Sequence, residues 1–299
     1  MNLKKERQGE FIILGEALLW SLFPVIVILS LNNLSPLISL AWSTFFAAIF
    51  FAIVITIKKK WGELRNKNAL KYILLAGFIL GVLYFSLFFV GLKYTSAGNA
   101  SIIALSEILF FFLFFNVWYK EYIHTAHMYG AFLMFIGALV ILSSNFDTFH
   151  LGDILILLAA AVSPLGNYFQ RRARKSVSSE SILFIRSLIS FPVIFLMAYI
   201  LGDEIIWISF NKTFACLIII GFLLIGLSKI LWIEGIHRIN VAKAGALSSI
   251  SPAFTLFFAW LLLNNIPTKF QLLSFIPMFF GVVLLSRNGS NKGSKKRKG

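Results

Sequence analysis

The chain of 299 residues contains 59% hydrophobic and only 13% charged residues, and its formal net charge is +15. Soluble domains have roughly 45–50% apolar and about 25% charged residues, so this composition excludes a soluble enzyme, a disordered protein and a coiled coil. The apolar residues form solid blocks of about 20, the length that crosses a hydrocarbon core. Strands of an outer-membrane barrel would instead alternate in polarity over short segments, which excludes that class.

The positive charges do not indicate a nucleic-acid partner, because they lie between the apolar blocks and in the C-terminal tail. Charges placed in this way are typical of membrane topology. Cys216, the single cysteine, lies inside an apolar block, which excludes an internal disulfide and a cysteine metal site. His124 and His127 are three residues apart, but no third ligand is evident. We therefore expect no metal, no cofactor and no nucleic-acid partner.

Ten apolar segments predict ten transmembrane helices and an all-α integral membrane fold. Most connections are shorter than ten residues, so no loop can hold a folded soluble domain. Residues 1–10 form a basic N-terminus, and the first segment is too long for a signal peptide and has no cleavage site, so we expect it to be retained. In chain order the segments are 11–31, 37–57, 72–92, 97–117, 126–144, 151–169, 181–201, 213–233, 241–263 and 269–286.

The distribution of Lys and Arg orients the chain, because cytoplasmic loops are enriched in these residues. With the N-terminus inside, the cytoplasmic segments carry 22 of them and the outer loops carry 3. Both termini are therefore predicted to be cytoplasmic, and the basic tail 287–299 is expected to contact anionic lipid headgroups. The short loops and the Phe-, Ile- and Lys-rich composition favour a bacterial-type plasma (inner) membrane.

The first half of the chain aligns with the second half without gaps, from about residue 37 to 142, after a shift of 144. Residues 11–144 and 151–286 are therefore predicted to be two five-helix repeats. Because five is odd, the two copies would be inverted relative to each other in the membrane, as in many secondary transporters. Glycine lets helices approach closely, so paired glycines predict paired contacts. The coinciding glycines are Gly77 with Gly221, Gly91 with Gly235 and Gly137 with Gly281.

The fourth and fifth helices of each repeat share a pattern: a small-residue entry, an apolar helix, a short polar turn and a glycine-containing helix. The pattern reads Thr95-Ser-Ala-Gly-Asn-Ala-Ser101, Tyr119-Lys-Glu121 and Gly137 in the first half, and Ala242-Lys-Ala-Gly-Ala246, Ser251-Pro252, Asn264-Asn265 and Gly281 in the second. With these motifs, its ten helices and its two repeats, the chain resembles the EamA-type branch of the drug/metabolite transporter superfamily over about residues 9–287.

This resemblance implies export or exchange of small metabolites such as amino acids, through a central cavity formed by helices of both repeats. The chain also departs from the family pattern, which often has a proline early in the fourth helix, a glutamate at its end and an arginine in the second helix. One half keeps each feature and the other replaces it: Pro252 against Glu107-Ile108, Glu121 against Asn265, and Arg186 against Trp42.

Glu107 lies about ten residues into its predicted span, close to the membrane midplane. A charge there costs at least about 2.5–3.5 kcal/mol, so such a group usually faces a cavity or a partner. We expect Glu107 to carry a proton or to bind a substrate amine, although a structural hydrogen-bonded carboxyl would also fit. Asn99 and Ser106 would form a polar stripe with Glu107. The repeat counterpart, Ser251-Pro252, frees a backbone carbonyl near the same depth.

Lys229 is a second ionisable residue within a predicted span, nearer its cytoplasmic end. It could pair with Glu234, with Glu107 or with a substrate carboxylate, or extend towards the interface. Glu16 and Arg186 lie near cytoplasmic ends as well and could form an inner gate of ion pairs with Lys229. Further candidates for the cavity wall and for gating kinks are Trp20, Tyr84 and Asn167, and Pro24 and Pro164.

These features predict a secondary transporter, more specifically an exporter of small metabolites, that works by alternating access with a proton as a possible coupling ion. The chain has no Gly-x-x-x-x-Gly-Lys-Ser/Thr loop, so it does not use ATP directly. The alternatives are an exporter of drugs or lipophilic cations and a non-transporting membrane sensor. Enzymatic activity is not expected. The partners would be a small-molecule substrate and the bilayer, with the chain as a monomer or homodimer.

Overall fold

A computed structural model describes residues 3–114, 125–143, 151–204, 212–236, 238, 239, 244 and 247–286. Within these ranges the regular structure is helical. The α-helices are α1 (Leu3–Ser21), α2 (Phe23–Ser30), α3 (Pro36–Ile57), α4 (Lys67–Ala76), α5 (Phe85–Lys93), α6 (Ala97–Ala104), α7 (Ser106–Phe112), α8 (Thr125–Ser143), α9 (Leu151–Ala173), α10 (Ser179–Ile200), α11 (Lys212–Ile218), α12 (Ser228–Ile236), α13 (Ser251–Leu263) and α14 (Lys269–Ser286).

Two π-helical segments and one 3₁₀ helix join some of these helices. Gly77–Tyr84 connects α4 to α5, Ile219–Leu227 connects α11 to α12, and Trp61–Arg65 precedes α4. π-Helical turns are rare and are frequently found at functional sites. The two π segments begin 142 residues apart, close to the shift of 144 in the predicted repeat.

Six helical segments in the described residues are long and apolar enough to cross a membrane, and shorter apolar helices accompany them. This confirms an all-helical membrane protein, while the count of ten spans and the cytoplasmic termini stay predictions. Glu121 and the basic tail lie outside the described residues. The six segments are Lys5–Ser30, Pro36–Ile57, Lys67–Lys93, Leu151–Ala173, Ser179–Ile200 and Lys212–Gly235.

The fourth helix of each half is interrupted. The sequence predicted continuous helices over 97–117 and 241–263. In the first half the break falls at Leu105, whose N–H donates to the Ile102 carbonyl at 3.0 Å in a tighter, 3₁₀-type turn. In the second half a turn at residues 249–250 precedes α13. Proline is tolerated in a first helical turn, where Pro252 lies. The two breaks therefore place Glu107 and Ser251 at equivalent positions, just after an interruption.

The two repeat-related prolines of the first and sixth helices behave differently. Pro24 lies in the first turn of α2, directly after the break at Leu22 that separates α2 from α1. The Ser21 carbonyl at this break accepts a hydrogen bond from Thr255 Oγ1 at 2.9 Å. A neighbouring helix thus satisfies the interrupted backbone, as membrane helices require. Pro164 instead lies inside α9, which continues through it. Pro24 therefore marks an interrupted helix and Pro164 does not.

Helices α8 and α14, the last of each half, pack against each other through reciprocal glycine contacts. A Cβ added to Gly137 would lie 2.2 Å from Met278 Cγ, and one added to Gly281 would lie 2.5 Å from Met134 Cγ. Both glycines and both methionines are 144 residues apart. The same pair of residue types therefore makes the same close contact from each side of the interface.

The third helix of each half also packs closely on the second helix of the other half. A Cβ at Gly81 in the first π segment would lie 3.1 Å from Ser190 Cβ in α10. A Cβ at Gly221 in the second π segment would lie 2.6 Å from the Ser43 carbonyl oxygen in α3. Helices α3 and α10 pack against each other between these contacts. Each half is thus held by the other through a glycine of its third helix.

A loop contact fixes the start of α10, on the predicted cytoplasmic side. Glu63 accepts hydrogen bonds from the Ser178 backbone N–H at 2.6 Å and from Ser181 Oγ at 2.8 Å. Partial burial would raise the pKa of Glu63, but these hydrogen bonds and the charge of Lys60 hold that pKa below its ordinary value. Glu180 beside it forms ion pairs with Lys58 and Lys60. The loop before α4 is thereby attached to the second half.

The glycine contact between α8 and α14 predicts that Gly137→Ala destabilises the protein. The added methyl group would meet Met278 and also the Ser274 carbonyl oxygen at 2.9 Å, which cannot move as freely as a side chain. Overpacking of this kind costs about 1–3 kcal/mol, so the midpoint of thermal unfolding in detergent should fall. Gly15→Ala is the matched control, because a Cβ there meets nothing within 4 Å. Equal midpoints for the two variants would contradict the close contact.

Candidate functional site

Five ionisable side chains from both halves interact inside the helix bundle, and we call them the central polar cluster. Lys229 interacts electrostatically with Glu16, Glu107 and Arg186, and Tyr84 interacts with Glu107 and Arg186. Glu16, Tyr84 and Arg186 are buried, and Glu107 and Lys229 are half-buried. Charges inside apolar helices usually mark a substrate or ion pathway.

Glu107 forms the first-half side of this cluster, from the first turn of α7. Its carboxylate accepts a hydrogen bond from Ser163 Oγ on α9. Asn167, one turn further along α9, donates from Nδ2 to Ser163 Oγ and to the Ser163 carbonyl, both at 3.0 Å. The Ser163 hydroxyl can therefore both donate to Glu107 and accept from Asn167. This chain of hydrogen bonds orients the carboxylate.

Lys229 on α12 forms the opposite side of the cluster. Its ammonium nitrogen lies 3.3 Å from the ring centroid of Trp20, a cation–π contact. The Trp20 ring stacks on Phe23, with centroids 4.4 Å apart and ring planes 8° apart. Glu16, one turn before Trp20, accepts hydrogen bonds from Ser228 Oγ at 3.2 Å and Ser248 Oγ at 3.4 Å. The Lys229 charge is thus held against an aromatic face with a carboxylate nearby.

Arg186 and Tyr84 complete the cluster from the interface of α10 with the first π segment. Arg186 Nη1 donates to Gln170 Oε1 at 3.1 Å, and the aliphatic part of Arg186 packs near Gly77 and Gly81. Tyr84 ends the π segment and packs edge-on against Phe85, with centroids 5.1 Å apart. The small glycines therefore make room for a guanidinium within the bundle.

Four buried polar atoms have no hydrogen-bond partner among the described residues. Such atoms are few in folded proteins, because an unpaired buried donor costs about 1–3 kcal/mol. One of them, Ser106 Oγ, belongs to a buried residue that directly precedes Glu107. The full set is Trp42 Nε1, Ser43 Oγ, Ser86 Oγ and Ser106 Oγ. Ser106 therefore offers a free hydroxyl beside the central polar cluster.

A second group of polar side chains lies on the predicted outer side, and we call it the outer polar cluster. Asp153, near the start of α9, accepts hydrogen bonds from Thr95 Oγ1 and from Asn99 Nδ2, the latter at 3.4 Å. Gln271 on α14 donates from Nε2 to Asn99 Oδ1 at 2.7 Å and to Ser96 Oγ at 3.1 Å. These hydrogen bonds connect the loop before α6, α6 itself and two helices of the second half.

The structure brings together most of the residues that the sequence singled out. The central polar cluster and its immediate partners contain Glu16, Trp20, Tyr84, Glu107, Asn167, Arg186 and Lys229. Asn99 instead belongs to the outer polar cluster, because its side chain bonds Asp153 and Gln271. Ser251 is buried at the start of α13, where its carbonyl accepts from Thr255 Oγ1 at 3.2 Å.

Glu234 does not form an ion pair with Lys229; it pairs with Arg238 instead. Its carboxylate binds Arg238 at 2.6 Å, at the end of α12, with 41% of the Glu234 side chain exposed. An ion pair between residues four apart on an exposed helix face contributes only a few tenths of a kcal/mol. In the structure Lys229 therefore contacts the Trp20 ring and not Glu234, which the sequence suggested as a partner.

Sequence reasoning missed Ser163, Asp153 and Gln271. Asp153 carried a usable signal, because it is a carboxylate inside the predicted span 151–169. Ser163 and Asn167 are four residues apart, a spacing that places them on one helix face. Gln271 had no such signal, since its role depends on the packing of α14 beside α6. In the described residues no group of three His, Cys, Asp or Glu could hold a metal ion.

The model of the EamA-like transporter family matches the chain twice, over residues 7–143 and 150–287. The chain belongs to the EamA-like transporter family. The resemblance drawn from the sequence is thereby confirmed, and the chain is a membrane transporter whose two halves each contain one copy of the family domain. This family's transporters are multi-pass membrane proteins with bacterial members, so the chain is assigned to that class.

Several relatives support the same family. The chain is 26% identical over 251 residues to "Uncharacterized transporter YdfC" of Bacillus subtilis, covering 82% of this chain and 80% of that protein. It is 26% identical over 263 residues to "Uncharacterized transporter YyaM" of the same organism, covering 84% and 85%. A Synechocystis transporter aligns over 60% of its own length, at 23% identity.

A solved crystal structure of another protein shows the same fold. It superimposes with a TM-score of 0.71, covering 94% of this chain and 97% of that chain, at 17% sequence identity. Because the identity is so low, this likeness concerns the fold alone.

The hydrogen bond between Ser163 and Glu107 predicts that Ser163→Ala destabilises the protein. The variant removes a donor to the half-buried Glu107 carboxylate and an acceptor for the Asn167 amide. Loss of such a partner costs about 1–3 kcal/mol, so the thermal midpoint in detergent should fall. Ser21→Ala is a suitable control, because the Ser21 hydroxyl bonds only locally to the Leu18 carbonyl. A Ser163→Ala midpoint equal to that of the control would show that this hydrogen bond contributes little.

Proposed function

We propose that this transporter is a secondary carrier that exports small metabolites such as amino acids across a bacterial plasma membrane by alternating access. The central polar cluster carries this proposal. It gathers two carboxylates and two cations from both repeats among helices that are otherwise apolar. Binding sites of secondary transporters characteristically lie between two repeats near interrupted helices.

Alternating access requires one side of the site to be closed while the other side opens. Packing on the predicted outer side supports a closed barrier there. Val25, Ala97 and Ala259 from three different helices form a small buried cluster. A Cβ added to Gly98 would lie 2.7 Å from Leu256 Cδ2, so α6 and α13 are in close contact. Together with the outer polar cluster, these contacts form the outer gate of the proposed cycle.

Inverted repeats provide a physical basis for the opposite conformation. If the second copy adopts the arrangement of the first, the closed and open sides exchange without any new fold. The reciprocal contacts of Gly137 and Gly281 support this proposal, because they let α8 and α14 stay paired in both conformations. The gating helices would then be those whose neighbours change during the cycle. These are α6, α7 and their counterparts in the second half.

The function is tested with purified protein in liposomes. We would preload the vesicles with each of the twenty amino acids in turn and measure exchange against the labelled compound, with and without a pH gradient. Saturable exchange of at least one amino acid is the expected result. Absence of exchange by protein that is shown to be folded would contradict the carrier function and favour the sensor.

Glu107→Gln is expected to fold and to lose most transport or the dependence of transport on pH. The amide keeps the shape and can still accept from Ser163, but it can neither carry a proton nor pair with an amine. The measurement is the initial exchange rate between about pH 5.5 and 8.5. Because the variant loses one charged contact, its rate should be about tenfold or more below that of the wild type. Glu204→Gln, at an exposed position, is the control. Unchanged rates across pH would remove Glu107 from the mechanism.

The outer gate predicts that Gln271→Leu shifts the protein towards an outward-open conformation. The variant removes both donations to Asn99 and Ser96. In a Cys216→Ser background, a single Ser106→Cys thiol should react several-fold faster with an impermeant reagent added outside. Lys269→Gln, at an exposed residue two positions earlier on α14, serves as the matched control. A labelling rate equal to that of the control would argue against the gate.

A lipophilic cation is the alternative substrate, and one observation favours it. Among the described residues the Glu107 carboxylate has no ion-pair partner within 4.0 Å, so it is available to a bound cation. Exchange of labelled tetraphenylphosphonium, in the absence of amino-acid exchange, would establish this alternative.

A further inference from the structure

Lys229 carries a charge within the bundle that no anion neutralises by direct contact. In the part of the chain that the structure describes, its ammonium group has neither a hydrogen bond nor an ion pair within 4.0 Å. The ammonium nitrogen instead lies 3.3 Å from the ring centroid of Trp20. Buried charges are normally paired, because an isolated ammonium group loses its hydration without compensation. A cation–π contact of about 2 kcal/mol offsets only a part of that cost.

The two carboxylates that act on Lys229 are each held by other groups. Glu16 is bonded to Ser228 and Ser248, and Glu107 is bonded to Ser163. These hydrogen bonds come from hydroxyl groups on three different helical segments. Lys229 therefore interacts electrostatically with two carboxylates without forming an ion pair with either of them in the described residues.

We propose that Lys229 and Trp20 form an anion subsite that binds the carboxylate of the transported substrate. This inference rests on the proposed transport function and names the substrate class for the same site. The ammonium supplies the charge, and the Trp20 ring, which stacks on Phe23, contacts the ammonium through its face. The substrate is thus a carboxylic acid, and its amine, where it has one, lies towards Glu107.

The charge balance of the site favours a singly charged carboxylate over other ligands. A simple cation would meet two fixed positive charges, Lys229 and Arg186, with no gain for the unpaired ammonium. A phosphate dianion would meet the two carboxylates Glu16 and Glu107. A zwitterion places its negative end on Lys229 and its positive end near Glu107, so both ends lower the electrostatic energy. The cluster therefore disfavours substrates that carry only positive charge and substrates that carry only negative charge.

The test compares matched ligands that differ only at the carboxylate. Detergent-purified protein is titrated with L-leucine, L-phenylalanine and L-serine, and with the methyl ester and the decarboxylated amine of each. Dissociation constants are measured by calorimetry. At least one amino acid should bind about tenfold or more tightly than its ester and its amine, since a charge-assisted contact is lost. Equal affinity of an amine or ester, or no binding by any of the three amino acids, would overturn the proposal.

Variants connect this preference to Lys229. Lys229→Gln should weaken amino-acid binding about tenfold and remove the preference over the ester, whereas Lys229→Arg should retain the preference. Lys212→Gln, an exposed residue earlier on the same span, is the matched control. If Lys229→Gln does not fold, the comparison between wild type and Lys229→Arg is used together with Trp20→Phe, which should weaken binding and preserve the preference. A preference unchanged in Lys229→Gln would overturn the assignment.

Failure of this inference differs from failure of the proposed function. Amino acids that bind with the expected preference but are not exchanged in liposomes would remove the transport function and leave the subsite intact. Saturable exchange without any preference for the carboxylate would support the transport function and remove the subsite. Binding and exchange of tetraphenylphosphonium that survive in Lys229→Gln would assign the site to cations and overturn the inference.

Discussion

The cost of placing ionisable groups among apolar helices governs how this protein is assembled. Each charge in a hydrocarbon environment costs at least about 2.5–3.5 kcal/mol, so isolated charges are not tolerated there. Glu107 meets this constraint through the Ser163 hydroxyl, Arg186 through Gln170, and Lys229 through the face of Trp20. Because these contacts join residues of both halves, the site depends on contact between the halves.

The glycine contacts make such a meeting of halves mechanically possible. Gly137 and Gly281 bring α8 and α14 together through contacts that repeat after 144 residues. Gly81 and Gly221 also bring each third helix close to the second helix of the other half. The two family copies are therefore joined through glycine contacts that each copy contributes.

Polar side chains are divided between two depths with different chemistry. The outer polar cluster, represented by Asn99 and Gln271, uses short neutral and charged hydrogen bonds that link helices directly. The central polar cluster leaves Lys229 without a direct anionic partner and Ser106 without a hydrogen bond in the described residues. The outer polar cluster is suited to holding helices together, and the central polar cluster is suited to binding a ligand.

The sequence by itself determined the membrane class, the family and the repeat, because these depend on composition and on spacing along the chain. It also identified Glu107 and Lys229, since a charge within an apolar block is visible without coordinates. Only the tertiary structure decided that Lys229 lies on Trp20, that Glu107 binds Ser163 and that Asn99 belongs elsewhere. These contacts join residues far apart in the chain, and helix breaks and packing angles, which no local pattern specifies, bring them together.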